Sequence, residues 1–103
     1  MPAQFRQGDV FLIQVESLPE DAREEIHSER IVLAYGEATG HSHSVSNKDA
    51  RLYFSSGQHF LAVETNAKLV HEEHEAIALS GGVYKVVRQR EYQQSGMLRY
   101  VDD

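Results

Sequence analysis

Asn66-Ala67-Lys68-Leu69-Val70-His71-Glu72-Glu73-His74-Glu75-Ala76-Ile77-Ala78-Leu79 is the stretch on which the reading of this chain turns. Ala67, Val70, His74 and Ile77 recur at three- and four-residue intervals, which fits one face of an amphipathic helix. The same residues also divide into a strand over Ala67–Val70, a turn over His71–His74 and a strand over Ala76–Leu79. Repeated short strands elsewhere in the chain favour the second division. The choice has a chemical consequence. On one straight strand His71 and His74 would diverge, whereas in a turn or a helical turn they can converge.

Working outward, Arg51–Ser55 and His59–Glu64 read as strands flanking a short connection, Ser56-Gly57-Gln58. Downstream, Gly81-Gly82 reads as the next turn. Val83–Tyr92 is then the clearest strand of the chain, and Met97–Val101 a short closing one. Toward the N-terminus, Gly8–Glu16 follows a Gly-Asp turn signal, is rich in β-branched and aromatic residues, and reads as a strand. Arg30–Tyr35 is a second strand, ended by Gly36, and Ser44–Ala50 is a polar turn. Ser17-Leu18-Pro19-Glu20 has the capping-box pattern, so a short helix over residues 18–26 competes with a polar surface loop. The expected fold is all-β: a small antiparallel β-barrel or sandwich forming one domain over residues 1–103, with at most one short helix near 18–26. Barrel closure would remove exposed sheet edges.

The composition bounds the function. With 103 residues, 41% of them hydrophobic and 25% charged, the chain has the balance of an ordinary globular protein with one modest core. No apolar run approaches the roughly 18 residues of a membrane-crossing helix, and the opening Met1-Pro2-Ala3-Gln4 has no signal-peptide character. Cytoplasmic residence is the expectation. A net charge of −6 argues against nucleic acid as the main partner, and the one basic cluster, Lys85, Arg88 and Arg90, reads as a solvated face. The chain has no cysteine, so a metal would be held by histidine and carboxylate alone.

Four of the six histidines fall in two clusters. Gly36–His43 reads Gly-Glu-Ala-Thr-Gly-His-Ser-His, and on a strand His41 and His43 project to one face. His71 and His74 bracket two glutamates. The four imidazoles of His41, His43, His71 and His74, or three of them with a carboxylate from Glu37, Glu72 or Glu73, form a donor set suited to Zn²⁺, Fe²⁺, Ni²⁺ or Mn²⁺. His27 and His59 stand apart and read as surface or strand-face residues. Several sharper patterns fail: His71 and His74 are three apart, not the four of a zincin helix, and Val45 stands where a histidine triad needs its third histidine. No Gly-x-Ser-x-Gly elbow and no phosphate loop occurs.

The first histidine cluster resembles the opening motif of the cupins, in which Gly36, His41 and His43, with His71 or His74, would have counterparts. That resemblance implies a small β-barrel with a metal site. The sequence departs from it in the Gly-to-His spacing, in lacking a Glu after His43, and in carrying Ser80-Gly81-Gly82 where the second motif has Pro-x-Gly. A broader resemblance is to a family of small uncharacterised bacterial and phage proteins. It is carried by Arg6-Gln7-Gly8-Asp9-Val10, Gly36–His43, Leu69–His74 and Val86–Tyr92. It implies a shared fold and brings no activity with it.

The leading expectation is a metal-binding β-barrel holding one divalent ion, with a small-molecule or hydrolytic site if a coordination position stays open. The alternative is a non-enzymatic β module, a subunit or binding partner in a homo-oligomer or larger assembly. Metal-free acid/base work by paired histidines is a third expectation.

Overall fold

The computed structural model describes residues 3–35 and 41–88, and all regular structure among them is strand. β1 (Gln4–Gln7) and β2 (Val10–Val15) form a hairpin around Gly8-Asp9. β3 (Arg23–Glu25) is a short strand, followed by β4 (Arg30–Tyr35) and β5 (Ser42–Ser46). β6 (Ala50–Ser55), β7 (Gln58–Leu69) and β8 (Ile77–Arg88) complete the described elements. Six strands make one antiparallel sheet in the order β1-β2-β8-β7-β6-β3, and β4 and β5 make a second.

The stretch 66–79 is strand, turn and strand. Ala67, Leu69 and His71 are buried, while Asn66, Lys68 and Val70 between them are exposed. A two-residue alternation of this kind buries one face of a sheet, and it overrides the helical spacing of Ala67, Val70 and Ile77. β7 ends at Leu69, residues 72–74 bend, and β8 begins at Ile77. Pairing along β7 and β8 is interrupted once, between Val63 and Asn66.

The core lies between the two sheets. Val10 and Leu12 of β2, Leu61 and Leu69 of β7, and Leu79 and Tyr84 of β8 join Ile31, Leu33 and Ala34 of β4 and Val45 of β5 in one buried cluster. The Tyr84 hydroxyl donates to Ser80 O at 2.8 Å, which satisfies the polar end of the largest wholly buried side chain. One antiparallel bridge links the sheets: Ser44 N–H donates to Val70 O at 3.0 Å, and Val70 N–H to Ser44 O at 2.9 Å. The all-β expectation holds. Among the described residues the strands do not close into a barrel, since β1 and β3 are sheet edges.

Several local expectations are corrected. Residues 18–26 form no helix: Ala22 N–H donates to Pro19 O at 3.1 Å in a turn, and β3 follows with all three residues exposed. The capping pattern had no apolar stripe behind it to dock a helix. Gly81 and Gly82 lie inside β8 rather than in a turn. A Cβ on Gly81 would stand 2.9 Å from Glu64 O, so glycine serves the close approach of the strands at the irregularity in β7. Ser44–Ser46 belong to β5, and the turn is confined to Asn47–Asp49, with Asp49 N–H donating to Ser46 O. β1 is an additional strand, and the strand expected over Gly8–Glu16 starts at Val10. Of Val83–Tyr92 the described part is strand to Arg88; the Gly36 break and Met97–Val101 lie outside the described residues. No helix among the described residues is long and apolar enough to cross a membrane.

Leu61 is wholly buried between the sheets. Leu61→Ala is expected to lower the free energy of unfolding by about 2–5 kcal/mol, read from urea denaturation midpoints at constant slope.

Candidate metal centre

The bridge between Ser44 and Val70 sets the register of everything beside it. In an antiparallel pair, a step back along one strand meets a step forward along the other. His43 therefore comes opposite His71, Ser42 opposite Glu72, and His41 opposite Glu73. The side chains follow this register. The His43 and His71 ring centres lie 4.3 Å apart, Ser42 N–H donates to Glu72 Oε1 at 3.0 Å, and His41 Nδ1 stands 3.5 Å from Glu73 Oε2. The bend over 72–74 then returns His74 to the group, 4.5 Å from the His71 ring and 5.9 Å from that of His43. His41 completes it, 5.6 Å from His71.

The four imidazoles expected from sequence are thus neighbours grouped around His71, at graded depth. His43 is wholly buried, His71 is nearly so, and His41 and His74 are half-buried. Glu72 is exposed at the mouth. One donor atom each from His41, His71 and Glu72 fall within 4.8 Å of one another. Glu37 lies outside the described residues. The Glu72 carboxyl is held below its ordinary range, first by the Ser42 N–H, then by its own backbone N–H, and further by the nearby His41 and His71 rings. It is an anion wherever a neutral imidazole is available to ligate.

Sequence reasoning missed two residues here, both in the β1–β2 hairpin. Gln7 is buried, and its Nε2 donates to Leu69 O at 3.1 Å and Glu75 O at 2.9 Å. With both amide hydrogens used, its Oε1 accepts from His43 Nδ1 at 2.9 Å. The network places a proton on His43 Nδ1 and turns Nε2 to the other side of the ring. That nitrogen looks toward the second missed residue, Asp9, whose Oδ1 is 3.7 Å away. The signal for both was Arg6-Gln7-Gly8-Asp9-Val10, legible as a turn but not as the wall of a site.

His71 is set differently. Glu73 N–H donates to its Nδ1 at 3.0 Å, so the neutral ring carries its proton on Nε2. Ligation through either nitrogen requires the Glu73 N–H to let go. His74 Nε2 is buried with no hydrogen-bond partner among the described residues. His27 and His59, read as isolated, instead share one carboxylate. Glu25 Oε2 lies 3.1 Å from His59 Nε2, and Glu25 Oε1 lies 3.9 Å from His27 Nε2. With Arg51 and Glu24 paired at 3.1 Å, they pin the exposed edge strand β3.

Residues 6–89 match the model of a family described as a domain of unknown function (DUF8820). No curated protein and no solved structure matches the chain.

Gln7→Leu keeps the volume and removes the amide. Leu69 O and Glu75 O then lose a donor, and the free energy of unfolding is expected to fall by about 1–3 kcal/mol in urea titrations. In nitrogen-15 spectra of the imidazoles, the fixed Nδ1–H tautomer of His43 should give way to a mixture.

Proposed function

The chain belongs to the DUF8820 family, whose description assigns no activity, and from the site itself we propose that it binds one divalent transition-metal ion where β5 meets the 70–74 turn. His41, His43, His71 and His74 supply nitrogen donors, and Glu72 supplies a carboxylate at the mouth. The observation that carries this reading is the gathering of four imidazoles from two segments around His71, whose ring centre lies 5.6, 4.3 and 4.5 Å from those of His41, His43 and His74. Imidazoles sharing one ion at about 2.0–2.1 Å each stand with ring centres roughly 4.5–6.5 Å apart, so the observed grouping needs only small adjustments. Four aromatic rings packed for burial alone would call for apolar residues, not imidazoles whose nitrogens need partners.

The donor chemistry favours Zn²⁺, Fe²⁺, Ni²⁺ or Mn²⁺ over Ca²⁺ and Mg²⁺, which take oxygen. His71 joins only once it releases Glu73 N–H. A metal held by fewer than all these donors keeps a position for water or a small molecule, which is the route to hydrolytic chemistry.

A second reading is favoured by the sheet edges and by the exposed Ile26 (79%) and Tyr35 (59%). On it, the chain is a β module that assembles with itself or another protein, and the histidine site serves to rigidify it. Light scattering of metal-free protein separates the two, since a metal-independent oligomer would favour the second.

Protein purified without an affinity tag is expected to carry close to one equivalent of metal by elemental analysis, and His41→Ala with His43→Ala to carry almost none. A content near zero, unchanged by the double substitution, would contradict the proposal. In a titration with Zn²⁺ followed by NMR, the Glu73 amide should show one of the largest shifts, since its bond to His71 must open.

A further inference from the structure

The basic cluster at the end of β8 is not a plain solvated face. Arg88 pairs with Val10, and Val10 is wholly buried in the core between the sheets. Residues paired across an antiparallel ladder share a face, so Arg88 continues the inward row of Tyr84 and Val86. Lys85, one position off that row, makes no ion pair among the described residues.

A cleft of about 340 Å³ lies at this end of the strand. Arg88 and Lys85 line it together with Leu33 of the other sheet, Phe54, His59 and Val86. Phe54 is 40% exposed, a large apolar side chain left to water, and its ring stands edge-on to His59 with centres 5.0 Å apart. A smaller cavity of about 70 Å³ shares Leu33, His59 and Val86 and reaches His27, so the space continues toward β3. The carboxylate nearest this lining, Glu25, is taken up by His59 at 3.1 Å.

This lining combines two permanent cations with apolar walls. A guanidinium binds carboxylate or phosphate through paired N–H donors, and a lysine adds a point charge. The chain as a whole, at net charge −6, repels anions, so an anion needs a local site of this kind. Sites for small organic molecules begin at roughly 300 Å³, which the cleft reaches and a polymer would overrun.

We propose that this cleft binds a small organic anion, a carboxylate or phosphate monoester on a short apolar body. The head sits on Arg88 and Lys85, and the body lies against Leu33, Phe54 and Val86. The site is distinct from the histidine cluster and does not rest on the metal reading.

The test is a nitrogen-15 NMR titration of the full chain, as purified, with octanoate, phenyl phosphate and inorganic phosphate. Octanoate or phenyl phosphate is expected to shift the His59, Val86 and Arg88 amides along a saturating curve, the stronger of the two identifying the head group. Inorganic phosphate, lacking the body, is expected to bind about tenfold more weakly or less. Arg88→Gln is expected to weaken binding about tenfold, whereas Lys68→Gln, which changes the net charge equally, leaves it intact. Phe54→Ala is an independent check at a half-exposed position. It is expected to weaken phenyl phosphate several-fold and leave inorganic phosphate unchanged. No saturable shift from either organic probe by about 10 mM would overturn the proposal, as would shifts confined to His41, His43, His71 and His74. Equal losses in Arg88→Gln and Lys68→Gln, or an unaltered affinity in Phe54→Ala, would overturn it too.

Discussion

Two hydrogen bonds between Ser44 and Val70, at 3.0 and 2.9 Å, hold this site in register. They are the only ladder pairing between the two sheets among the described residues, and they sit next to the site. Because strand pairing has a period of two, a slip of one residue would turn His43 away from His71 and break the Ser42–Glu72 contact. A slip is resisted on both sides. Val45 and Leu69, the next residues along, are buried in the shared core, and a shift would move them toward water. Apolar burial thus fixes a polar constellation: the core sets the bridge, and the bridge sets the histidines.

Gln7 adds the third support. Its amide reaches Leu69 O at the end of β7 and Glu75 O just before β8, so it spans the base of the turn that carries His71 and His74. The same side chain fixes the His43 tautomer. One residue on an edge strand therefore couples the closure of the turn to the orientation of the most buried imidazole. Support of this kind orders half-buried rings during folding. The exception is the Glu73 N–H bond to His71, a competing local interaction of the sort that tight bends make. It leaves His71 the adjustable member of the set.

Much of this was legible in the sequence. β4 lies where Arg30–Tyr35 placed it, and the hairpin of β6 and β7 where Ser56-Gly57 marked it. The His71–His74 turn followed from the strand spacing around it. The four histidines were legible as a group because two short spacings survive any fold that brings the segments together. What was hidden depends on contacts far apart in the chain. Gly81-Gly82 reads locally as a turn, and only the approach of Glu64 O shows why a strand needs glycine there. Gln7 and Asp9 read as turn-flanking polar residues, and their importance comes from His43, more than thirty positions away. Glu25 stands two residues from His27, but only the pairing of β3 with β6, and of β6 with β7, brings His59 to the same carboxylate.

The central claim is that β5 and the 70–74 turn together enclose a single ion. An anomalous-difference map from crystals grown with Zn²⁺ tests it most directly. The account predicts one strong peak about 2.0–2.2 Å from His43 Nε2, with imidazoles from both segments around it. A map with no peak there, or with peaks only at exposed glutamates such as Glu75, would contradict it.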